Sequence, residues 1–149
     1  MPTAILVDDD KNALSVLEAL LGRYATHISI IGTAENVPDA EALLREKQPD
    51  VLFLDINMPP FSGFDLLHKL ENVSYPVIFC TAYDDYTIQA IRHAAFDYIL
   101  KPIRPADLQE CLVRLSKLWE EKNNPTTAAP NADSEDGEDE EEKAIGILF

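Results

Sequence analysis

The sequence predicts an α/β protein with a parallel sheet, and three observations carry that reading. Five apolar runs of strand length recur along the first hundred residues: TAILV (3–7), ISIIGTA (28–34), VLFL (51–54), VIFCT (77–81) and DYIL (97–100). Helical patterns separate them, so strand and helix alternate throughout, as parallel sheets with right-handed crossovers require. VLFL, bounded by Pro49-Asp50 and Pro59-Pro60, shows no polar alternation, the mark of a strand covered on both faces.

Each helix has its own signal. Leu14, Leu17, Leu21 and Tyr24 form one apolar stripe in the first. Pro38 suits the opening turn of a second helix, which is expected to run to about Gln48. A third follows Gly63, a fourth is expected between Asp85 and Ala95, and the fifth follows Pro105 with Leu108, Cys111, Leu112, Leu115, Leu118 and Trp119 on one side. No internal repeat interrupts the pattern. After Lys122 the periodicity stops, which divides the chain into a globular unit at 1–122 and a linker or tail at 123–149, disordered by composition or leading into a further domain. The closing AIGILF reads as the first strand of such a domain, or else as a docking peptide.

A chain of 149 residues with 46% hydrophobic content supports one domain with a real core. The formal charge of −15 opposes direct contact with nucleic acid or an anionic membrane. Eight acids lie in DSEDGEDEEE (133–142), leaving 19 acids against 11 Lys and Arg in residues 1–122. Cys80 and Cys111 sit among apolar neighbours without CxxC spacing and read as core packing in a reducing cytoplasm. No apolar run approaches the length of a membrane span, and no signal peptide is visible. His27, His68 and His93 fall in three different elements without ligand spacing.

Parallel strands end at one edge, and this groups residues far apart in sequence. The first strand delivers Asp8, Asp9 and Asp10, the third Asp55, the fourth Thr81, and the fifth Lys101 followed by Pro102. Taken singly, Asp55 is a turn residue, Asp8 to Asp10 favour a helix N-terminus, and Thr81 and Tyr98 are ordinary strand residues. Taken together, they make an acidic pocket with a hydroxyl and a lysine. Two carboxylates about 4 Å apart repel by about 4 kcal/mol at an effective dielectric near 20, so the cluster needs a cation or raised pKa values. Hard oxygen ligands in a partly open site suit Mg²⁺ shared with a phosphate, and Lys101 supplies the second positive charge that a phosphoryl group requires.

ILVDDD (5–10), LDINMPPFSG (54–63), FCTA (79–82) and YILKPI (98–103), in this order and spacing, resemble the receiver domain of two-component response regulators. TAYDDYTIQAIRHAAFDYILKPI (81–103) further resembles receivers joined to LytTR-type DNA-binding domains. The resemblance implies a flavodoxin-like (βα)5 fold with strand order 2-1-3-4-5 and a cis Lys101-Pro102 bond. It makes Asp55 the phosphoacceptor, loaded by a histidine kinase, a phosphotransfer protein or a small phosphodonor. Mg²⁺ is expected on Asp9, Asp55 and the Asn57 carbonyl, with Asp8 acting mainly through water. Thr81 and Lys101 are expected on the phosphoryl oxygens. Thr81 and Tyr98 form the switch that remodels the face of the fourth helix, fifth strand and fifth helix, with homodimerisation on activation and DNA reached only through an output domain beyond these residues. The chain is then a signalling switch, not an enzyme. A Mg²⁺-dependent phosphohydrolase is the alternative, but that class carries a second acid two residues after its nucleophile, where Asn57 stands here. A dinucleotide-binding protein needs a glycine-rich turn after the first strand, and DDDKNA has no glycine.

Overall fold

The computed structural model describes residues 1–82 and 95–123. Among them the chain runs β1 (Thr3–Val7), α1 (Lys11–Tyr24), β2 (Ser29–Ala34), α2 (Val37–Glu46), β3 (Val51–Leu54), the two-residue strands β4 (Asn57–Met58) and β5 (Phe61–Ser62), α3 (Gly63–Leu70), β6 (Val77–Thr81), β7 (Asp97–Leu100) and α4 (Pro105–Asn123). The main sheet has the order β2-β1-β3-β6-β7 with every pairing parallel. For the five predicted strands this is the expected order 2-1-3-4-5. The fifth expected helix is α4, which includes Asn123, whereas the fourth, apart from Ala95, and the tail from residue 124 lie outside the described residues. Lys101-Pro102 is cis, as is Pro59-Pro60.

Successive side chains on a strand point to opposite faces, so each central strand feeds two cores. Ala4, Leu6, Val51, Phe53, Ile78, Cys80 and Ile99 pack with α1 and α4 on one face. Ile5, Val7, Leu52, Leu54, Val77 and Phe79 pack with α2 and α3 on the other. Burying a side chain of this size contributes roughly 1.5–3 kcal/mol, so β1, β3 and β6 form the least yielding part of the molecule. The C-terminal ends of these strands are therefore a rigid platform. At the opposite sheet edge the Thr3 N–H donates to Asp50 Oδ2 (2.7 Å) and the Asp50 N–H donates to the Thr3 carbonyl (2.9 Å), closing β1 against the start of β3.

Side-chain caps set where the helices begin. Asp10 accepts from the Asn12 N–H (2.9 Å) before α1, and Asn36 accepts from the Asp39 N–H (2.8 Å) before α2. Ser62 and Asp65 form a reciprocal capping box before α3. Helix α2 stops at Glu46, two residues short of the expected Gln48. Gln48 precedes Pro49, whose ring disfavours helical backbone before it, and Lys47 is already extended with ψ 119°. Strand β2 starts at Ser29, one residue late, because the Ile28 N–H is taken by the Ala25 carbonyl (2.9 Å) in the preceding turn.

Helix α3 ends on a strained residue. Glu71 has φ 66° and ψ −71°, and the Asn72 N–H donates to the Leu70 carbonyl (2.7 Å), a γ-turn of the rare positive-φ kind. Glu71 is exposed, so glycine would lose no packing there. Glu71→Gly is expected to stabilise the protein by about 1 kcal/mol through relief of this strain. A urea midpoint that stays put or falls refutes it.

Candidate functional site

Asp8 follows β1, Asp55 follows β3, Thr81 ends β6 and Lys101 follows β7, so four adjacent parallel strands deliver their residues to one sheet edge. Backbone bonds hold these positions. The Asp55 N–H donates to the Val7 carbonyl (2.9 Å), the Asp8 N–H to Ala34 (3.1 Å) and the Lys101 N–H to Thr81 (2.8 Å). Each site residue thus extends the sheet ladder by one step. Its side chain inherits the rigidity of the strands.

Asp8, Asp9 and Asp55 each offer a carboxylate oxygen, and these oxygens lie within 4.8 Å of one another. Asp8 and Asp55 are buried, as is Thr81, while Asp9 and Asn57 are exposed. One side of the cluster is therefore packed and the other faces water. Lys101 Nζ stands 2.6 Å from Asp8 Oδ2 and 3.6 Å from Asp55 Oδ2. The Asp10 N–H donates to the second Asp8 oxygen at 2.9 Å. Lys101 is committed first to Asp8 and only loosely to Asp55.

Burial is the main force on Asp55, and with the Asp8 charge it pushes the carboxyl up to about 6, against the Lys101 charge and the backbone N–H groups of Asn57 and Ile56. Asp55 is ionised at neutral pH yet unusually ready to take a cation. Burial would lower the Lys101 ammonium, but its hydrogen bond to Asp8 and the charges of Asp55 and Asp8 outweigh it, and the net movement is upward. Lys101 stays charged. The donor set suits Mg²⁺: all hard oxygen, two carboxylates held in the wall, and an open side for water.

The three consecutive aspartates separate into three roles. Asp8 is the buried partner of Lys101, Asp9 joins the carboxylate cluster from the solvent side, and Asp10 turns away to cap α1. Asp10 is thus not part of the pocket, because the α1 N–H groups claim its side chain. Asn57 sits in β4, a hairpin strand paired with β5 that sequence periodicity does not reveal. Tyr98 is half-buried against the α2/α3 core and lines a cleft of about 570 Å³ with Lys101, Arg104 and Arg114. Arg114 Nε reaches Asp97 Oδ2 at 2.8 Å and ties α4 to β7 there. His27 and His68 are exposed, and His93 lies outside the described residues. Cys80 and Cys111 are buried in the α1/α4 core, where burial pushes both thiols up. They are packing residues, as expected.

Comparison with known proteins agrees with this geometry. Residues 4–113 match the family model of the response regulator receiver domain. The chain is 41% identical over 119 residues to an uncharacterised response regulatory protein of Vibrio parahaemolyticus, covering 79% of this chain and 49% of that protein. It is 39% identical over 116 residues to the transcriptional regulatory protein BtsR of Escherichia coli K12, covering 77% and 48%. The chain thus spans about half the length of the curated relatives it matches. Among solved structures, the response regulatory domain of mrkE from Klebsiella pneumoniae superimposes with a TM-score of 0.71 at 29% identity, covering 80% of this chain and 98% of that one. A CheY-like receiver from Methanospirillum hungatei, at 24% identity and TM-score 0.68, shares the fold. The family match, the strand order and the acidic sheet edge lead to one conclusion: this chain belongs to the response regulator receiver domains of two-component signalling.

Proposed function

We propose that this receiver is a phosphorylation switch whose acceptor is Asp55. The observation that carries the proposal is the gathering of Asp8, Asp9 and Asp55 beside Lys101 and the buried Thr81. An ionised Asp55 oxygen attacks phosphorus in line, forming the Asp55 O–P bond as the donor's P–N or P–O bond breaks. Asp9, Asp55 and the Asn57 carbonyl would hold Mg²⁺, with Asp8 supporting it through water. Bound there, the ion neutralises carboxylates and phosphoryl oxygens alike. Lys101 moves from Asp8 toward the new phosphoryl group, and the Thr81 hydroxyl donates to it. Acetyl phosphate with Mg²⁺ should load one phosphoryl group per chain, detected by mass spectrometry. Continuous hydrolysis of a phosphomonoester without a loaded intermediate would favour a phosphohydrolase instead.

The downstream step runs through Thr81 and Tyr98. Drawing the Thr81 hydroxyl toward a phosphoryl acceptor opens room behind it, and Tyr98, one strand away against the α2/α3 core, lines the cleft on the face between β7 and α4. That face is the expected dimer contact. Sedimentation with beryllofluoride should show a dimer absent without it, and Tyr98→Ala should abolish the difference. A monomer under both conditions at high concentration overturns this step.

The partner that loads the switch is a histidine kinase or phosphotransfer protein in the cytoplasm. Among the described residues no helix is long and apolar enough to cross a membrane. We assign the receiver to residues 1–122, with 123–149 leading toward an output domain of LytTR type that contacts DNA. Support comes from the motif at 81–103, from relatives about twice as long, and from BtsR, which is named a transcriptional regulatory protein. A chain truncated after Lys122 should be phosphorylated at an unchanged rate. A large loss on truncation refutes the boundary.

A further inference from the structure

We infer that Gly63 is a positioning residue for the acidic pocket, acting through direct backbone contact with Asp55. Gly63 is buried at the first position of α3, and its N–H donates to the Ile56 carbonyl at 2.7 Å. A Cβ built on it would stand 2.5 Å from the Asp55 carbonyl oxygen, 3.1 Å from Leu54 Cγ and 3.3 Å from Ile56 Cα. Two of these three contacts are backbone atoms, which cannot swing aside as a side-chain end can. Gly63 has no positive φ, so close approach explains the glycine and conformational freedom does not.

The contact bears on chemistry because of what surrounds it. The Asp55 N–H is already fixed to the Val7 carbonyl in β1, so β1 restrains this residue at its N–H and Gly63 at its carbonyl. The next two residues, Ile56 and Asn57, turn their N–H groups toward the Asp55 carboxylate. The Asn57 carbonyl is the proposed third ligand. The start of α3 cannot slide away freely to relieve a methyl group, because the Gly63 N–H is bonded to the Ile56 carbonyl and Leu66, one turn on, is fully buried in the α2/α3 core. A methyl group at 63 therefore forces the 55–57 peptides to rotate. This inference rests on the reading of the pocket as a Mg²⁺ and phosphoryl site.

The test compares Gly63→Ala with Gly32→Ala. At Gly32, on the sheet's outer strand β2, the three nearest atoms to an added Cβ all belong to the Leu43 side chain, the first at 3.0 Å. Both variants are made in the stabilised Glu71→Gly background, and thermal midpoint, Mg²⁺ dissociation constant by calorimetry and phosphorylation rate with acetyl phosphate are measured on the full chain. Gly63→Ala should weaken Mg²⁺ binding and slow phosphorylation at saturating Mg²⁺ by tenfold or more each. Gly32→Ala should lower the midpoint and leave both within twofold. Mg²⁺ affinity and rate unchanged in Gly63→Ala would overturn the inference. A Gly63→Ala chain that fails to fold even in the stabilised background would overturn it too, since the contact would then serve the fold and not the pocket. A parent protein that binds no Mg²⁺ and takes up no phosphate would instead remove the functional reading on which the inference stands.

Discussion

Asp55→Asn is expected to abolish phosphoryl incorporation from acetyl phosphate, with the wild type loading to one phosphate per chain. The substitution is nearly isosteric, and the Asp55 N–H bond to Val7 does not involve the side chain, so the strand end should hold its shape. The amide removes the nucleophilic oxygen and one of three clustered carboxylates. Mass spectrometry of intact protein is the measurement, and full loading of the variant would defeat the assignment. Stability provides an independent reading. Asp55 is held at about 6 in the fold against 3.8 for the free side chain, first by burial and then by the Asp8 charge. A raised folded pKa means the stabilisation is complete below the unfolded value and is lost as pH rises through about 6. An asparagine has no proton to lose. Without Mg²⁺ the variant should therefore match the wild type near pH 3 and exceed it by about 1–3 kcal/mol at pH 8. A variant less stable than wild type at pH 8 would show that burial and the Asp8 charge do not dominate the site.

Most of this architecture could be read from residue pattern, and the failures have physical causes. VLFL and VIFCT were unambiguous because residues buried on both faces leave no alternation to misread. The pocket was legible because parallel strands must end together, so Asp8, Asp55, Thr81 and Lys101 converge once the strands are drawn. The β4–β5 hairpin was not: two-residue strands are shorter than any periodicity, and the Pro59-Pro60 pair between them reads only as a break. Nor could three identical aspartates be told apart in the string DDD, since the α1 N–H groups that claim Asp10 exist only after folding. The capping box at Ser62 and Asp65 carried a readable signal, an S-x-x-D spacing before an apolar run. The approach of Gly63 to the Asp55 carbonyl carried none beyond the presence of a glycine, because it depends on where a hairpin returns.

Lys101→Ala should separate metal binding from phosphoryl transfer. In the wild type the ammonium sits 2.6 Å from Asp8 and 3.6 Å from Asp55, where its charge stabilises both carboxylates. It also holds the Asp55 pKa down against burial and Asp8. Its removal should raise Asp55 above about 6, which a pH titration of labelled carboxyl carbons would detect. Above that higher pKa, Mg²⁺ has no cation to compete with, and its affinity should rise several-fold. Below it, proton competition should drive affinity down, so the onset of metal binding moves to higher pH. Transfer behaves differently. A methyl group cannot follow the charge that develops on the phosphoryl oxygens, and loss of one such preorganised donor costs about 10²–10³ in rate. The expected variant thus binds Mg²⁺ more tightly at pH 8 and takes up phosphate at least a hundredfold more slowly. Equal rates would mean that Lys101 only neutralises the resting carboxylates, and a fall in Mg²⁺ affinity at pH 8 would mean that it orders the pocket instead of competing for it.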